Sequence, residues 1–159
     1  MLFRSSTGVI GTRLPLDKVG AGVARLAPAL ATGPEALTAA AISLRTTDSR
    51  TKIASTTVEL PGTDGRPVRV TVAGIAKGVG MIHPRMATML SIVTTDATVE
   101  PAVLRGILAR AAVPTWDQLS VDGDTSTNDT VFLLASGASP AAPVAAGSAA
   151  ERKIGRAHV

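Results

Sequence analysis

The N-terminal part of the chain has an apolar spacing that is typical of helices. Apolar residues recur at steps of three and four, at positions 16, 19, 23, 26 and 30. This spacing predicts a helix with Asp17 near its start and Pro28 near its end. A second helix is expected from Pro34 to about Leu44, because proline suits the first turn of a helix.

A β-hairpin is predicted directly after these helices. Residues 56–60 and 68–76 are rich in β-branched side chains, and valines alternate with other residues in the second segment. Strict alternation of this kind predicts a strand with one buried face. Asp64 and Gly65 lie between the two segments and have the composition of a tight hairpin turn.

The remaining segments alternate between strands and helices. Residues 89–95 form a short apolar strand that we expect to be buried on both faces, and residues 127–136 form another strand. A third helix is expected to begin at Pro101, and residues 6–10 resemble a strand end or turn. This interleaving predicts a mixed α/β sandwich rather than an all-β barrel or a helix bundle.

The C-terminal part differs in composition from the rest. From Ala138 the chain is rich in Ala, Pro, Gly and Ser, which predicts a linker or a poorly ordered tail over 141–159. The last six residues, IGRAHV, are what a common sequencing-adapter DNA encodes in one reading frame. We therefore expect a non-native end and leave these residues out of the fold prediction; the alternative is an ordinary basic tail.

Composition narrows the possible classes of protein. The chain has 159 residues, 45% hydrophobic and 2% aromatic, and it contains no cysteine, which excludes disulfides and thiolate metal sites. Its net charge of +4 is scattered and lacks aromatic partners, so we expect no nucleic-acid binding. No secretory signal and no apolar run of about 18 residues is visible, so we expect no membrane span and a cytoplasmic location.

The segment 76–90 reads AKGVGMIHPRMATML and contains one isolated hydroxyl, that of Thr88. A threonine hydroxyl needs an adjacent base to act as a nucleophile, and His83 has no partner that would complete a triad. Cleavage between Ala87 and Thr88 would supply the α-amine of Thr88 as that base. The alternative is that Thr88 is an ordinary strand residue.

Six short segments together resemble the ornithine acetyltransferase family, also called the glutamate N-acetyltransferase or bifunctional arginine-biosynthesis family. The resemblance covers about residues 5–140 and implies the central part of a longer protein, with 1–140 belonging to one acetyltransferase domain. The segments carrying it are STGVIG (6–11), LPLDK (14–18), RTTDS (45–49), AKGVGMIHPRMATML (76–90), TTDA (94–97) and DGDTSTNDTV (122–131).

The resemblance implies roles for five residues. Thr88 matches the threonine that becomes a new N-terminus after self-cleavage and then carries the acetyl group. Thr7 and Gly8 match the oxyanion hole, for which the alternative is a turn. Thr46 and Lys77 match substrate-binding positions, and the alternative for Lys77 is a surface charge.

The family also implies a reaction and an assembly. The reaction is acetyl transfer from N-acetylornithine to glutamate, with no cofactor or metal, and acetyl-CoA is a substrate only in bifunctional members. The fold is a self-cleaving, N-terminal-nucleophile-like α/β sandwich, and α and β chains from one precursor form a heterotetramer with two of each. Further substrate-binding residues would lie beyond residue 159. The alternatives are an N-terminal-nucleophile amidohydrolase or aminopeptidase, and an inactive truncated fragment.

The segment 122–131 invites a calcium-binding interpretation because it carries several acidic and amide side chains. An EF-hand loop needs glycine at position six and glutamate at position twelve, and this segment has neither. We instead expect a turn and a polar network before the following strand. The side chains concerned are Asp122, Asp124, Asn128 and Asp129.

Overall fold

A computed structural model of the chain describes residues 11–126 and 129–157, and it shows a mixed α/β fold. The three helices predicted from apolar spacing and proline positions are confirmed. The predicted segment 6–10 lies outside the described residues. In chain order the elements are α1 (Leu16–Leu26), a 3-10 turn (Ala27–Ala29), α2 (Pro34–Leu44), β1 (Lys52–Pro61), β2 (Pro67–Lys77), β3 (Ile82–His83), β4 (Met86–Ala87), β5 (Leu90–Thr95), α3 (Pro101–Ala112), a 3-10 turn (Trp116–Gln118), β6 (Thr130–Ala135) and α4 (Ala149–Gly155).

Four strands form one mixed sheet in the order β1-β2-β5-β6. The pairs β1–β2 and β2–β5 are antiparallel, and β5 pairs with β6 in parallel. The predicted hairpin is β1–β2, and its turn places Gly65 at a φ of 80°, a conformation that glycine adopts without steric cost. At the opposite end of β2, Lys77 pairs with Leu90, so the last residue of β2 lies beside the first residue of β5.

The main core lies on one face of the sheet. Alternate residues of β1 and β2 point toward α3 and α4, as the valine alternation predicts. The helices α3 and α4 also contact each other, which closes this layer. The buried residues of this cluster are Leu60, Val70, Ala97, Ile107, Ala141, Val144 and Ile154.

The opposite face of the sheet is covered only in part. Helix α2 contacts β1 and β2, while Phe132 and Leu134 on the edge strand β6 remain 54% and 53% exposed. On β5, Val93 is buried toward the main core, but Thr94 on the other face is exposed. The prediction that residues 89–95 are buried on both faces is therefore wrong, because α2 does not extend over this half of the sheet.

The prediction of a linker or poorly ordered tail is also wrong for the described residues beyond 140. Ser148 caps α4 by accepting a hydrogen bond from the Glu151 N–H at 3.1 Å. Ser-x-x-Glu at a helix start is the capping-box pattern, which the small-residue composition had masked. The Glu151 carboxylate also accepts hydrogen bonds from the Gly147 N–H and from Arg110 of α3, which ties α4 to the core.

Ile154, the first residue of IGRAHV, is only 4% exposed and belongs to the main core. Leaving it out of the fold prediction was therefore wrong, whereas a non-native end stays a prediction. Within residues 11–126 and 129–157 no helix has the length and apolarity needed to cross a bilayer.

Helix α1 generates a prediction about the chain in isolation. Its apolar residues are exposed, and in the described part of the chain α1 contacts chiefly the 3-10 turn that follows it. Exposed apolar stripes of this kind cause association. We expect the 159-residue chain expressed alone to aggregate and to bind a hydrophobic dye such as ANS. The exposed positions are Leu16, Val19, Val23 and Leu26 in α1, together with Leu14 before the helix and Leu30 after it.

Two variants of α1 test whether aggregation comes from its apolar residues or from its charged residues. Replacing Leu16, Val23 and Leu26 together by Gln should reduce dye binding and aggregation, whereas replacing Lys18 and Arg25 by Gln should not. Dye fluorescence and light scattering measure both effects. A wild-type chain that is monomeric, binds no dye and unfolds cooperatively would contradict the prediction.

Candidate active site

A short hairpin immediately precedes Thr88. Strands β3 and β4 pair through Ile82–Ala87 and His83–Met86, and Pro84 and Arg85 form the connecting loop. Thr88 follows β4, and the sheet strand β5 begins only at Leu90. Thr88 therefore lies in a bend between two strands, and the alternative that it is an ordinary strand residue is not supported.

The backbone of this hairpin is strained at two positions. Among the described non-glycine residues, positive φ angles occur at Met81 (56°) and Arg85 (65°). Each left-handed non-glycine residue costs about 1–3 kcal/mol and persists only where its surroundings hold it. In the loop, Pro84 is followed by the positive φ of Arg85, which is the arrangement of a type II turn. Two-residue hairpin loops instead favour the primed turns, because the twist of those turns matches the twist of the strands.

Two carboxylates from the 122–131 segment hold the hairpin in place. Asp122 accepts hydrogen bonds from the N–H groups of Met81 at 2.7 Å and Ile82 at 3.1 Å. These backbone hydrogen bonds hold the pKa of Asp122 below its usual value. Asp129 accepts a hydrogen bond from the Ala87 N–H at 2.6 Å. The expected polar network is thus confirmed for Asp122 and Asp129, and both carboxylates bind the backbone of the segment that leads to Thr88.

The Thr88 side chain combines burial with the absence of a partner. Its Oγ1 atom is buried and forms no hydrogen bond within the described residues. Its backbone N–H donates to the Met81 carbonyl at 2.8 Å. The preceding Ala87 is 3% exposed and packs with Ile82 and Met89. A buried hydroxyl without a partner is unfavourable, so its retention here fits a reactive group.

A second buried group, the Asp48 carboxylate, lies beside the end of β2. Asp48 is 3% exposed and accepts hydrogen bonds from Lys52 of β1 and from the Gly78 N–H at 2.8 Å. The backbone of Thr46, two residues before Asp48, also favours the charged form of this carboxylate. Burial disfavours the charged form, but these hydrogen bonds and the charge of Lys52 outweigh it and keep the pKa of Asp48 below its usual value.

Lys77 at the end of β2 is 2% exposed, so the alternative that it is a surface charge is wrong. Burial lowers the pKa of the Lys77 ammonium, and the nearby Asp48 charge opposes part of that effect. The next residue, Gly78, has a φ of 148°, and a Cβ at this position would lie 3.1 Å from the Thr88 carbonyl oxygen. The residue that follows this buried lysine therefore lies against the backbone of the segment that carries Thr88.

The structure brings four of the six predicted site residues into one connected region. Thr46 lies two residues before Asp48, whose charge acts on Lys77, and Thr88, which follows Ala87, adjoins Gly78. The other two, Thr7 and Gly8, lie outside the described residues. No three His, Cys, Asp or Glu side chains in the described part of the chain form a group suited to a metal ion.

Sequence analysis missed the residues that hold this region together. Asp48 stands in the quoted RTTDS segment, but it had no assigned role because its partner Gly78 is thirty positions away. Asp122 and Asp129 were expected in a polar network, but the sequence did not indicate which backbone groups they would bind. The isolated Asp48 between a helix and a strand, in a segment shared with a family, was the signal that could have identified it.

Comparison with known proteins identifies the family. A family model described as the ArgJ family matches residues 1–156. The chain is 47% identical over 133 residues to the mitochondrial arginine biosynthesis bifunctional protein ArgJ of Verticillium alfalfae, covering 84% of this chain and 28% of that protein. The protein of the same name from Aspergillus terreus is 44% identical over 144 residues, covering 91% and 31%. That from Uncinocarpus reesii is 42% identical over 146 residues, covering 92% and 31%.

These comparisons correct one prediction. The expected cytoplasmic location is contradicted, because all three relatives are named as mitochondrial. The chain spans only 28–31% of those relatives, so the lack of a visible signal near Met1 carried no information about location. Together, the family match over 1–156 and the site around Thr88 show that the chain belongs to the ArgJ family.

Proposed function

We propose that the protein transfers an acetyl group from N-acetylornithine to glutamate through an acetyl-Thr88 intermediate. The relatives are named as arginine biosynthesis bifunctional proteins, and this reaction is what the family resemblance implies. The single observation that supports it most directly is the buried Thr88 hydroxyl, which has no hydrogen-bond partner among the described residues and follows a strained hairpin held by two carboxylates.

Self-cleavage is the first chemical event of this proposal. The Thr88 hydroxyl attacks the Ala87 carbonyl carbon, and an ester forms as the peptide C–N bond breaks. The hydroxyl proton passes to the released nitrogen, and water then hydrolyses the ester. The product has an N-terminal Thr88 whose own amine is the base for its hydroxyl.

Acetyl transfer follows in two halves at the same hydroxyl. Thr88 attacks the acetyl carbonyl of N-acetylornithine, and ornithine leaves with the proton that the α-amine delivers. The amine of glutamate then attacks the acetyl ester and regenerates Thr88. Acetyl-CoA is a second donor only if this protein is bifunctional, as those relatives are named.

Lys77 and Thr46 bind the substrate in this proposal. A buried ammonium is a strong partner for a carboxylate, because little water competes for either charge. Both substrates carry carboxylates, and Lys77 lies beside the Thr88 segment. Thr7 and Gly8 supply the oxyanion hole, as the family resemblance implies.

The proposal extends to the fold and assembly of the whole protein. The mixed sheet with helices on both faces is compatible with a self-cleaving, N-terminal-nucleophile-like α/β sandwich. Cleavage before Thr88 yields α and β chains, which we propose assemble as two of each. The remaining substrate-binding groups come from sequence outside this chain, so the tests below use a full-length ArgJ protein that contains it.

Substitution of Thr88 tests the nucleophile. Thr88→Ala removes the hydroxyl, so the protein should remain one uncut chain without transfer activity. Thr88→Ser keeps a hydroxyl and should cut more slowly and retain part of the transfer activity. Intact mass spectrometry and a transfer assay are run on the same samples, with and without glutamate.

Three outcomes would contradict this mechanism. Wild-type protein that transfers acetyl while uncut would exclude the N-terminal amine as the base. Thr88→Ala protein that yields a fragment beginning at residue 88 would exclude the hydroxyl as the attacking group. Equal release of acetate without glutamate would favour an amidohydrolase, with water as the acceptor.

Substitution of Thr7 tests the oxyanion hole. Removal of one donor typically lowers turnover about 10²–10³-fold. Thr7→Ala should therefore lower kcat for acetyl transfer by this amount while KM for N-acetylornithine changes little. Thr12→Ala is a nearby control and should behave as wild type. An equal loss in kcat and in substrate affinity, or no loss in kcat, would leave Thr7 as a turn residue.

The charge of Asp48 should control the pH range in which Lys77 binds substrate. Only the ammonium form attracts a carboxylate, so affinity is present below the pKa of Lys77 and is lost as pH rises through it. Asp48→Asn removes the charge that raises the pKa of Lys77. The rise in KM for N-acetylornithine should then begin at lower pH than in wild type.

The matched control for this experiment is Asp64→Asn, at an exposed carboxylate in the β1–β2 turn. KM is measured across the alkaline range for wild type and both variants. An unchanged KM profile in Asp48→Asn would show that Lys77 does not bind the substrate carboxylate in its charged form.

A further inference from the structure

Both N–H groups that flank the Ala87 carbonyl are held by hydrogen bonds. The Ala87 N–H donates to Asp129 Oδ2 at 2.6 Å, and the Thr88 N–H donates to the Met81 carbonyl at 2.8 Å. The Ala87 carbonyl and the Thr88 N–H belong to one planar peptide group, so fixing that N–H also fixes the direction of the carbonyl. The hydrogen bond to Asp129 fixes the preceding peptide group, so both sides of the Ala87 Cα are held. That carbonyl is the one that cleavage before Thr88 would attack.

The acceptor on the Thr88 side is itself fixed by a carboxylate. Met81 adopts a left-handed conformation with a φ of 56°, and its own N–H donates to Asp122 at 2.7 Å. Asp122 also accepts from the Ile82 N–H. The position of the Met81 carbonyl, and with it the Thr88 N–H, therefore depends on Asp122.

Packing adds a third constraint on the same peptide. The Ala87 methyl group is buried with Ile82 and Met89, and Trp116 and Val131 cover this cluster. The segment therefore cannot relieve its strain by rotating Ala87 outward. Within the described residues, the neighbouring Thr88 hydroxyl has no hydrogen bond that would compete with attack on a carbonyl.

We propose that the Asp129 carboxylate, supported by Asp122, is the positioning group for self-cleavage before Thr88. This inference rests on the function proposed above. Asp129 forms no covalent bond and takes no proton in the reaction. It holds the Ala87 N–H so that the Ala87 carbonyl carbon faces the Thr88 hydroxyl during ester formation.

A structural role for Asp129 has a different consequence from a role in cleavage. If Asp129 only stabilises the loop, its loss should lower both cutting and the transfer activity of molecules that have been cut. If it orients the bond that is cut, its loss should lower cutting far more than transfer per cut molecule. The ratio of these two effects therefore separates the roles.

The test uses a full-length ArgJ protein that contains this chain. Asp129→Ala removes the acceptor, and Asp129→Asn keeps an acceptor oxygen without its charge. Asp124→Ala is the matched control, because Asp124 lies in the same loop and, among the described residues, bonds Asp122 through its backbone N–H rather than its carboxylate. The fraction cut is followed over time by intact mass after synthesis, and transfer is assayed per mole of cut protein.

We expect Asp129→Ala to slow cutting at least about tenfold, because it removes a hydrogen bond to a charged acceptor. Asp129→Asn should slow it less, and Asp124→Ala should match wild type. A wild-type cutting rate in Asp129→Ala overturns the proposal, as does an equal fall in cutting and in transfer per cut molecule.

Two further outcomes are decided in the same experiment. If circular dichroism shows that Asp129→Ala is unfolded, Asp129→Asn decides, and a wild-type cutting rate in that variant overturns the role of the carboxylate. If the wild-type protein itself stays uncut, the proposed function fails together with this inference. Cutting that is equal in wild type and in the folded Asp129→Ala variant overturns the role of Asp129 alone.

Discussion

The buried Asp48 carboxylate joins the region between α2 and β1 to the end of β2, thirty residues further along the chain. It accepts hydrogen bonds from Lys52 at the start of β1 and from the Gly78 N–H after β2. A buried carboxylate without such partners would be strongly unfavourable. Because these regions meet at one side chain, the Gly78 backbone is held beside β1, and the Asp48 charge acts on the adjacent Lys77.

The hairpin before Thr88 depends on a different kind of constraint. The left-handed conformations of Met81, just before the hairpin, and of Arg85, in its loop, cost free energy on their own. Carboxylates of the 122–131 segment hold the hairpin in this conformation by accepting hydrogen bonds from its backbone. Strain that is maintained by surrounding contacts is a recurring feature of reactive sites. The same contacts that make the conformation tolerable also direct the Ala87 peptide, which links the local geometry to the proposed cleavage.

Sequence reasoning succeeded where the determining interactions are local. The start of α2 at Pro34 and of α3 at Pro101 follow from the preference of proline for the first helical turn. It failed for α4, because small residues indicated a linker while only the fold showed that Ile154 fills the core. Asp48 likewise received no role, since its partner Gly78 is thirty positions away and sequence alone does not reveal burial.

The two constraints meet at the contact between Gly78 and Thr88. Asp48 fixes the Gly78 N–H, and the Cα of Gly78 approaches the Thr88 carbonyl so closely that a Cβ would lie 3.1 Å from it. Its φ of 148° is a second reason for glycine at this position. The hydrogen bond of Asp129 bears on the segment before Thr88, where the chain would be cut once, whereas the charge of Asp48 acts on Lys77, which would act in every turnover. Thr88 lies between the two sets of contacts, so one residue can serve first as the site of cleavage and afterwards as the acetyl carrier.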